Sequence, residues 1–518
     1  VAEEDGMRQK QQLNLLFLFT DQQRADTLGT YGNQVVETPS LDGLAAEGIR
    51  FDQCYTPTAI CTPARASLLT GVYPFRHKLV ANYERNVACP EELPAGVMPF
   101  SRVLSQAGYQ VGLVSKWHID KEHGPEAYGF DGLHYPGWGN PVQHPDYTAY
   151  LEQHNYPPFH LKSEIRGTFP NGTPGNLLAG VLEQPVEATF EYYLAERTIA
   201  RLRQYAADYR ARHTPFFLTC HWFGPHLPYL VPAEYYHRYD PARVVLPRSM
   251  AETFANKPQV QRNYAAHWAL DTLSPAQWSE LIAAYWSYVT LIDEQVGRIL
   301  RAVRELGLWD ETAVLYSSDH GSFTGAHRLE DKGPAMYDDI YHIPFICRIP
   351  GMPIQRSESH FTSLLDVTPT ILDLAGCPIP REYDGLSLVP LIRGDSDLSW
   401  RQEITAEFHG HHFPYAQRMI RTERYKLVVN PADCNELYDL ASDPDELLNR
   451  YEHVELAPVR RELMARLYHL LRTRGDNFHH WMSTMYETGC ETYDTSLSQV
   501  DHGRPAAAPS ATSPPGAQ

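Results

Sequence analysis

Residues 61–71 read Cys-Thr-Pro-Ala-Arg-Ala-Ser-Leu-Leu-Thr-Gly. Cysteine is a nucleophile once deprotonated. Arg65 lies four residues on, one turn along if a helix begins near Pro63, so both side chains share a face. A helix N-terminus at that point favours an anion. The competing reading is a buried structural cysteine before a helix. The surrounding sequence decides between them. Leu13–Phe19 leads into Thr20-Asp21-Gln22-Gln23-Arg24, and Tyr109–Val114 into Ser115-Lys116-Trp117-His118. Pro215–Cys220 leads into His221 and, soon after, His226, while Thr312–Tyr316 leads into Ser317-Ser318-Asp319-His320-Gly321. Four apolar runs thus end in acids, bases or amides.

The elements that must position these groups follow from the same runs. Short apolar stretches without strict alternation suit strands buried on both faces. In an open parallel α/β sheet, ligands bind beyond the carboxyl ends of the strands. Residues 13–375 alternate such runs with helical patterns, which predicts an α/β fold with a large, mainly parallel sheet flanked by helices. Helices are expected at Met98–Ala107, stopped by Gly108, at Thr189–Arg212, at Trp278–Leu306 and at Phe361–Ala375, stopped by Gly376. Residues 124–185, rich in Gly, Pro, His and aromatics, read as a long irregular insertion. After about residue 395 the pattern changes. Glu403–Phe408, Arg418–Arg421, Tyr425–Val429 and Glu436–Leu440 read as short strands, and Pro458–Thr473 as a helix. That predicts a smaller C-terminal antiparallel sheet plus helix. The expected domains are 13–395, catalytic α/β; 396–480, α+β; and 481–518, an extension whose Pro/Ala/Ser-rich tail is expected to be disordered.

Composition narrows the function. A chain of 518 residues with net charge −19 argues against a nucleic-acid partner. It has no apolar run long enough for a transmembrane helix. Its polar start shows no signal peptide, so a cytoplasmic location is preferred, with a periplasmic or secreted one if a signal was removed. The eight cysteines lack metal or disulfide-framework spacing. Cys54 and Cys61 are read as unpaired, because a disulfide would block chemistry at Cys61. Asn171-Gly172-Thr173 is a glycosylation sequon that matters only in a secreted protein.

The Cys-x-Pro-x-Arg…Leu-Thr-Gly segment resembles the modification motif of type I sulfatases, in the alkaline phosphatase superfamily. The resemblance covers roughly residues 13–445, including Ile420-Arg421-Thr422, Tyr425-Lys426-Leu427 and Glu436–Leu440 in the C-terminal part. It implies that Cys61 is oxidised to formylglycine, whose hydrate is the nucleophile, by a formylglycine-generating enzyme during maturation. Asp21, Gln22, Asp319 and His320 match the metal-binding positions, with residue 61 as a further ligand. Ca²⁺ is the family's usual ion, with Mn²⁺ or Mg²⁺ as alternatives. Many sulfatases carry Asp where this chain has Gln22 and Asn where it has His320. Gln and His occur together in the phosphonate monoester hydrolase branch. Arg65 matches the residue that holds the nucleophile. Lys116 and His118, in Lys-Trp-His, match the group that binds the transferring oxygens and the base of the release step. Strand alternation would point both to one face. His226 and Lys332 match the pair at the substrate ester, with His221 ranked second.

The resemblance therefore implies a metal-dependent hydrolase of small anionic sulfate monoesters, working by covalent catalysis. The alternative is a phosphonate monoester or phosphate diester hydrolase with the same site. An inactive binding protein would have lost Cys61, Arg65 or an acidic ligand, and none is lost. An unconverted, thiol-based enzyme is the third reading; Ala64, where many relatives have Ser, is a small departure within the motif. Tyr128, Tyr135, Trp138 and Tyr147 are candidates for an apolar mouth, with Asn82, Tyr83 and Glu84 near by proximity alone. A homo-oligomer, dimer or tetramer, is expected, because relatives with C-terminal extensions often associate.

Overall fold

A computed structural model describes residues 12–83, 89–135, 141–395, 398–431 and 433–485. They fall into two compact units parted after His453. Trp138, Glu84 and the expected tail lie outside the described residues.

The larger unit is built on an eight-stranded sheet. Asn14–Thr20 lies near its centre, paired in parallel with Thr312–Ser318 on one side and Phe216–His221 on the other. Gln110–Lys116 pairs in parallel with Phe216–His221, and Asp131–Tyr135 with Gln110–Lys116. Beyond Thr312–Ser318 the order continues through Phe345–Arg348, Ile49–Phe51 and Arg356–Glu358. Phe345–Arg348 runs antiparallel to both neighbours, so the sheet is mainly parallel, as expected. The central strand shows why its sequence is a continuous apolar run. Leu16 and Leu18 enter one core cluster, while Leu15, Phe17 and Phe19 enter the other. Both faces are covered by helices, so both side-chain sets must be apolar.

The long helices carry their own start signals. Thr189 caps Phe190–Arg212 by accepting from the Tyr192 N–H. Ser274 and Gln277 form a capping box for Pro275–Glu305. Ser363 and Asp366 do the same for Leu364–Leu374, so that helix starts three residues later than its apolar pattern suggests. Residues 124–185 depart from expectation. They hold a sheet strand, the helix Pro145–Gln153 and the paired strands Leu161–Thr168 and Pro174–Leu182, the latter joined to Tyr229–Pro232 in a three-stranded sheet. Their Gly and Pro residues mark turns between short elements, and the register shifts of the first strand pair blur its alternation.

Glu403–Gly410, Pro414–Thr422, Tyr425–Val429 and Glu436–Asp439 form the expected four-stranded antiparallel sheet. The smaller unit contains the helices Ala457–Arg474 and Phe478–Met485. Among the described residues, no helix is long and apolar enough to cross a membrane.

Candidate active site

The site lies at the carboxyl ends of the central strands. Asp21 follows Asn14–Thr20, Lys116 ends Gln110–Lys116, His221 ends Phe216–His221, and Asp319 follows Thr312–Ser318. Parallel pairing aligns those ends, which brings distant residues into one place. Cys61 opens the fully buried helix Cys61–Thr70, whose first turn enters the same space. Asn82 Oδ1 accepts the Thr62 N–H at 2.9 Å, fixing that helix entry.

Arg65 joins the two carboxylates. Its Nε donates to Asp319 Oδ2 and its Nη2 to Asp21 Oδ2, each at 2.9 Å. Lys116 Nζ donates to the same Asp21 Oδ2 at 2.6 Å. Burial alone would push the Asp21 pKa up, but the Lys116 and Arg65 cations outweigh it and hold the carboxyl well below its usual range. Asp319 Oδ1 accepts the backbone N–H groups of His320 and Gln22, at 2.9 and 3.1 Å. Gln22 sits at φ +63°, which turns the chain so that this bond forms.

The donor set fits a divalent cation. One donor atom each from Asp21, Cys61, Asp319 and His320 lie within 4.8 Å of one another. His320 Nδ1 lies 2.8 Å from the Gly321 carbonyl, which requires Nδ1–H and leaves the Nε2 lone pair facing the cluster. His320 Nε2 is 3.2 Å from Cys61 Sγ. Burial lowers the His320 pKa despite Asp319 and Asp21, so the ring is neutral as a ligand must be. The Gln22 amide Nε2 donates to Ser322 Oγ at 3.1 Å, and its Oε1 is 3.5 Å from Lys332 Nζ.

A second group faces the cluster. Lys332 Nζ donates to His226 Nε2 at 2.5 Å, while His226 Nδ1 lies 2.6 Å from the Leu227 carbonyl. Burial and the neighbouring Lys332 hold the His226 pKa well below its ordinary value, so Lys332 carries the charge of the pair. His221 Nδ1 is 3.3 Å from Arg65 Nη1, and it too is kept neutral, by burial and then by Arg65. His118 is buried with its ring edge-on to Tyr83. The alternation expected for Lys116 and His118 does not hold. The strand ends at Lys116, and Ser115 and His118 both take positive φ, so the backbone turns before residue 118.

A cavity of about 560 Å³ opens on this site, with Lys116, Asn82, His226 and Lys332 in its wall. Tyr147 lines it, as expected. Tyr128 and Tyr135 do not. Tyr128 bonds Asp120 and packs on Trp117, and Tyr135 bonds Tyr193 in the core. The cavity instead uses Phe223, Trp268, Glu191, His411 and His412, none of which the sequence reading singled out. The histidine run at 409–412 was a visible signal for the last two.

Residues 13–377 match the family model described as Sulfatase. Residues 325–473 match the model for the C-terminal part of N-sulphoglucosamine sulphohydrolase. "Uncharacterized sulfatase YidJ" of Escherichia coli (strain K12) is 31% identical over 454 residues, covering 87% of this chain and 85% of that protein. "Multifunctional alkaline phosphatase superfamily protein PehA" of Trinickia caryophylli is 27% identical over 487 residues, covering 84% and 90%. The solved structure of a phosphonate monoester hydrolase of Agrobacterium radiobacter superposes with a TM-score of 0.74 at 25% identity, covering 89% of this chain and 96% of that one.

Proposed function

The chain belongs to the sulfatase family, and from that premise we propose that it hydrolyses organic sulfate monoesters with Cys61 converted to formylglycine. One observation carries this reading: Asp21, Cys61, Asp319 and His320 converge within 4.8 Å while Arg65 and Lys116 bind the outer carboxylate oxygens. A formylglycine hydrate at position 61 supplies an oxygen nucleophile at the mouth of a positively polarised helix. Asp21, Gln22, Asp319, His320 and residue 61 would hold a divalent cation, Ca²⁺ first, which when bound would supply Lewis-acid stabilisation of the ester oxygens.

The chain's own residues do the rest. Arg65 holds both carboxylates in place, aimed inward. Lys116 and Lys332 offset the negative charge of the transferring group, a stabilisation that is strong where water is excluded. Lys332 and His226 face the cavity and meet the leaving oxygen. His118 is the base of the release step. The cavity holds the organic part of the ester.

The first test is the mass of the peptide spanning Cys61 after expression with a formylglycine-generating enzyme. Cysteine-to-aldehyde oxidation lowers it by about 18 Da. An unmodified thiol under those conditions would overturn the mechanism. Ca²⁺ added to chelator-treated protein is expected to raise Tm, by linkage, and Asp319→Asn to abolish the shift.

A second reading keeps the machinery and changes the ester to a phosphonate monoester or phosphate diester. Gln22 and His320 favour it, because the resemblance places Gln and His together at these positions in the phosphonate monoester hydrolase branch. A kcat/KM comparison of an aryl sulfate with an aryl phosphonate decides; a clear phosphonate preference removes the sulfatase reading. A homo-oligomeric state, dimer or tetramer, is part of the proposal and is tested by light scattering.

A further inference from the structure

Beside the machinery above lies a buried ionic group that it does not use. Asp331 lies beside Lys332 at φ +67°, and Asp331 Oδ1 forms an ion pair with Lys332 Nζ at 3.0 Å. The Tyr264 hydroxyl, which also bonds the Lys332 carbonyl, lies 3.0 Å from the other Asp331 oxygen, Oδ2. His411 Nε2 is 3.3 Å from the same Oδ2. A carboxylate only accepts, so Nε2–H donates. Asp331, Lys332 and His411 are all buried.

His411 comes from another part of the chain. It sits in the turn between Glu403–Gly410 and Pro414–Thr422, next to a register shift at Phe408/Gly410. Such irregularities re-aim side chains. Here the turn carries His411 and His412 into the wall of the cavity that also holds His226 and Lys332. The contacts form one continuous line: His411 to Asp331, Asp331 to Lys332, Lys332 to His226.

Resting on the sulfatase-type reading, we propose that Asp331 and His411 are positioning residues that aim Lys332, and through it His226, at the leaving oxygen. A lysine on a flexible stem has three rotatable donors and no preferred fork. Without a fixed anion on its far side, its ammonium would relax toward Asp21 and the metal-binding cluster. Asp331 supplies that anion, and His411 with Tyr264 fixes the carboxylate from behind. The four-stranded C-terminal sheet thereby contributes to catalysis through one turn. Asp331, His411 and His412 also bring donor atoms within 4.8 Å of one another. Within that cluster Asp331 Oδ1 is paired with Lys332 Nζ, and Oδ2 faces Tyr264 and His411.

The test uses the full-length, formylglycine-containing enzyme and a series of aryl sulfates whose phenols span a range of pKa. A group that stabilises the leaving oxygen matters most when the phenolate is a poor leaving group. In His411→Ala and Asp331→Asn, kcat/KM is expected to fall roughly ten- to a hundredfold for the poorest leaving groups, the usual cost of losing a supporting partner. It should fall only a few fold for the best. The dependence on phenol pKa therefore steepens. His411→Gln, whose amide N–H replaces Nε2–H, should restore most of the slope. A uniform loss across the series with an unchanged slope, or no loss, overturns the positioning role and leaves the functional reading standing. A wild-type enzyme inert toward aryl sulfates and aryl phosphonates alike would instead overturn the functional reading and this one with it. If either variant unfolds at assay temperature, the other and His411→Gln still report the slope.

Discussion

Arg65 joins stability to the proposed chemistry in a single residue. Its guanidinium is fully buried between Asp21 and Asp319. Removing one partner of a buried ion pair costs about 3–5 kcal/mol, because the other charges stay buried without compensation. Arg65→Ala is therefore expected to lower unfolding stability in urea by about that amount and kcat by at least roughly a hundredfold. Unfolding and turnover measured on the same preparation check both. Glu330 provides a pH signature. It is buried, and it accepts the Tyr229 hydroxyl at 2.5 Å. Burial raises its pKa from 4.5 to about 7. Below the lower value the group is protonated in both states and costs nothing. As pH rises toward 7 the unfolded chain releases a proton that the folded protein retains, so stability falls through that window and the penalty is complete above it. Glu330→Gln keeps the acceptor for Tyr229 and loses the penalty. Its stability relative to wild type should rise between about pH 5 and about pH 8; a constant difference would contradict the shift.

At the scale of elements, the helix Cys61–Thr70 is stopped by Gly71, which takes φ +66°. A Cβ there would lie 2.7 Å from the Tyr383 ring. The Gly71 carbonyl also accepts the Asp384 N–H at 2.8 Å, tying the helix end to that loop. Gly71→Ala is expected to lose about 1–3 kcal/mol from backbone strain, plus the cost of moving Tyr383. Thermal unfolding reads the loss, and kcat of the folded enzyme should fall less than in Arg65→Ala. The sequence made this helix and the central strands legible because their signals are local. Four apolar runs and a Cys-Pro-Arg-Gly spacing placed Cys61, Asp21, Lys116 and Asp319 in one site. The cavity wall was less legible. Tyr128 and Tyr135 look like lining residues by composition, yet half-buried Tyr128 bonds Asp120 and Tyr135 bonds Tyr193 in the core. His411 enters only through the turn of a hairpin whose register shift at Phe408/Gly410 cannot be read from alternation. Positive φ at Ser115 and His118 likewise cannot be read from alternation.

At the scale of the whole molecule, a chain of net charge −19 is proposed to act on an anion. The two facts belong to different distances. Within a few ångströms the substrate meets Lys116, Arg65 and Lys332, which are buried and little screened. Farther out it meets the summed negative field of the surface, which repels it and lowers the encounter rate. Salt separates the two contributions, because the Debye length is about 10 Å at 0.1 M and exposed charges beyond it are largely screened. Raising ionic strength should therefore weaken the outer repulsion first. The expected outcome is a modest rise in kcat/KM for an anionic aryl sulfate as salt increases from about 0.01 to about 0.1 M, with kcat unchanged. Measuring kcat/KM with a non-coordinating salt, at fixed metal concentration, isolates the effect. A fall over the same range would mean that the cationic cluster steers substrate from outside the cavity, and that the surface near its mouth is locally positive despite the total.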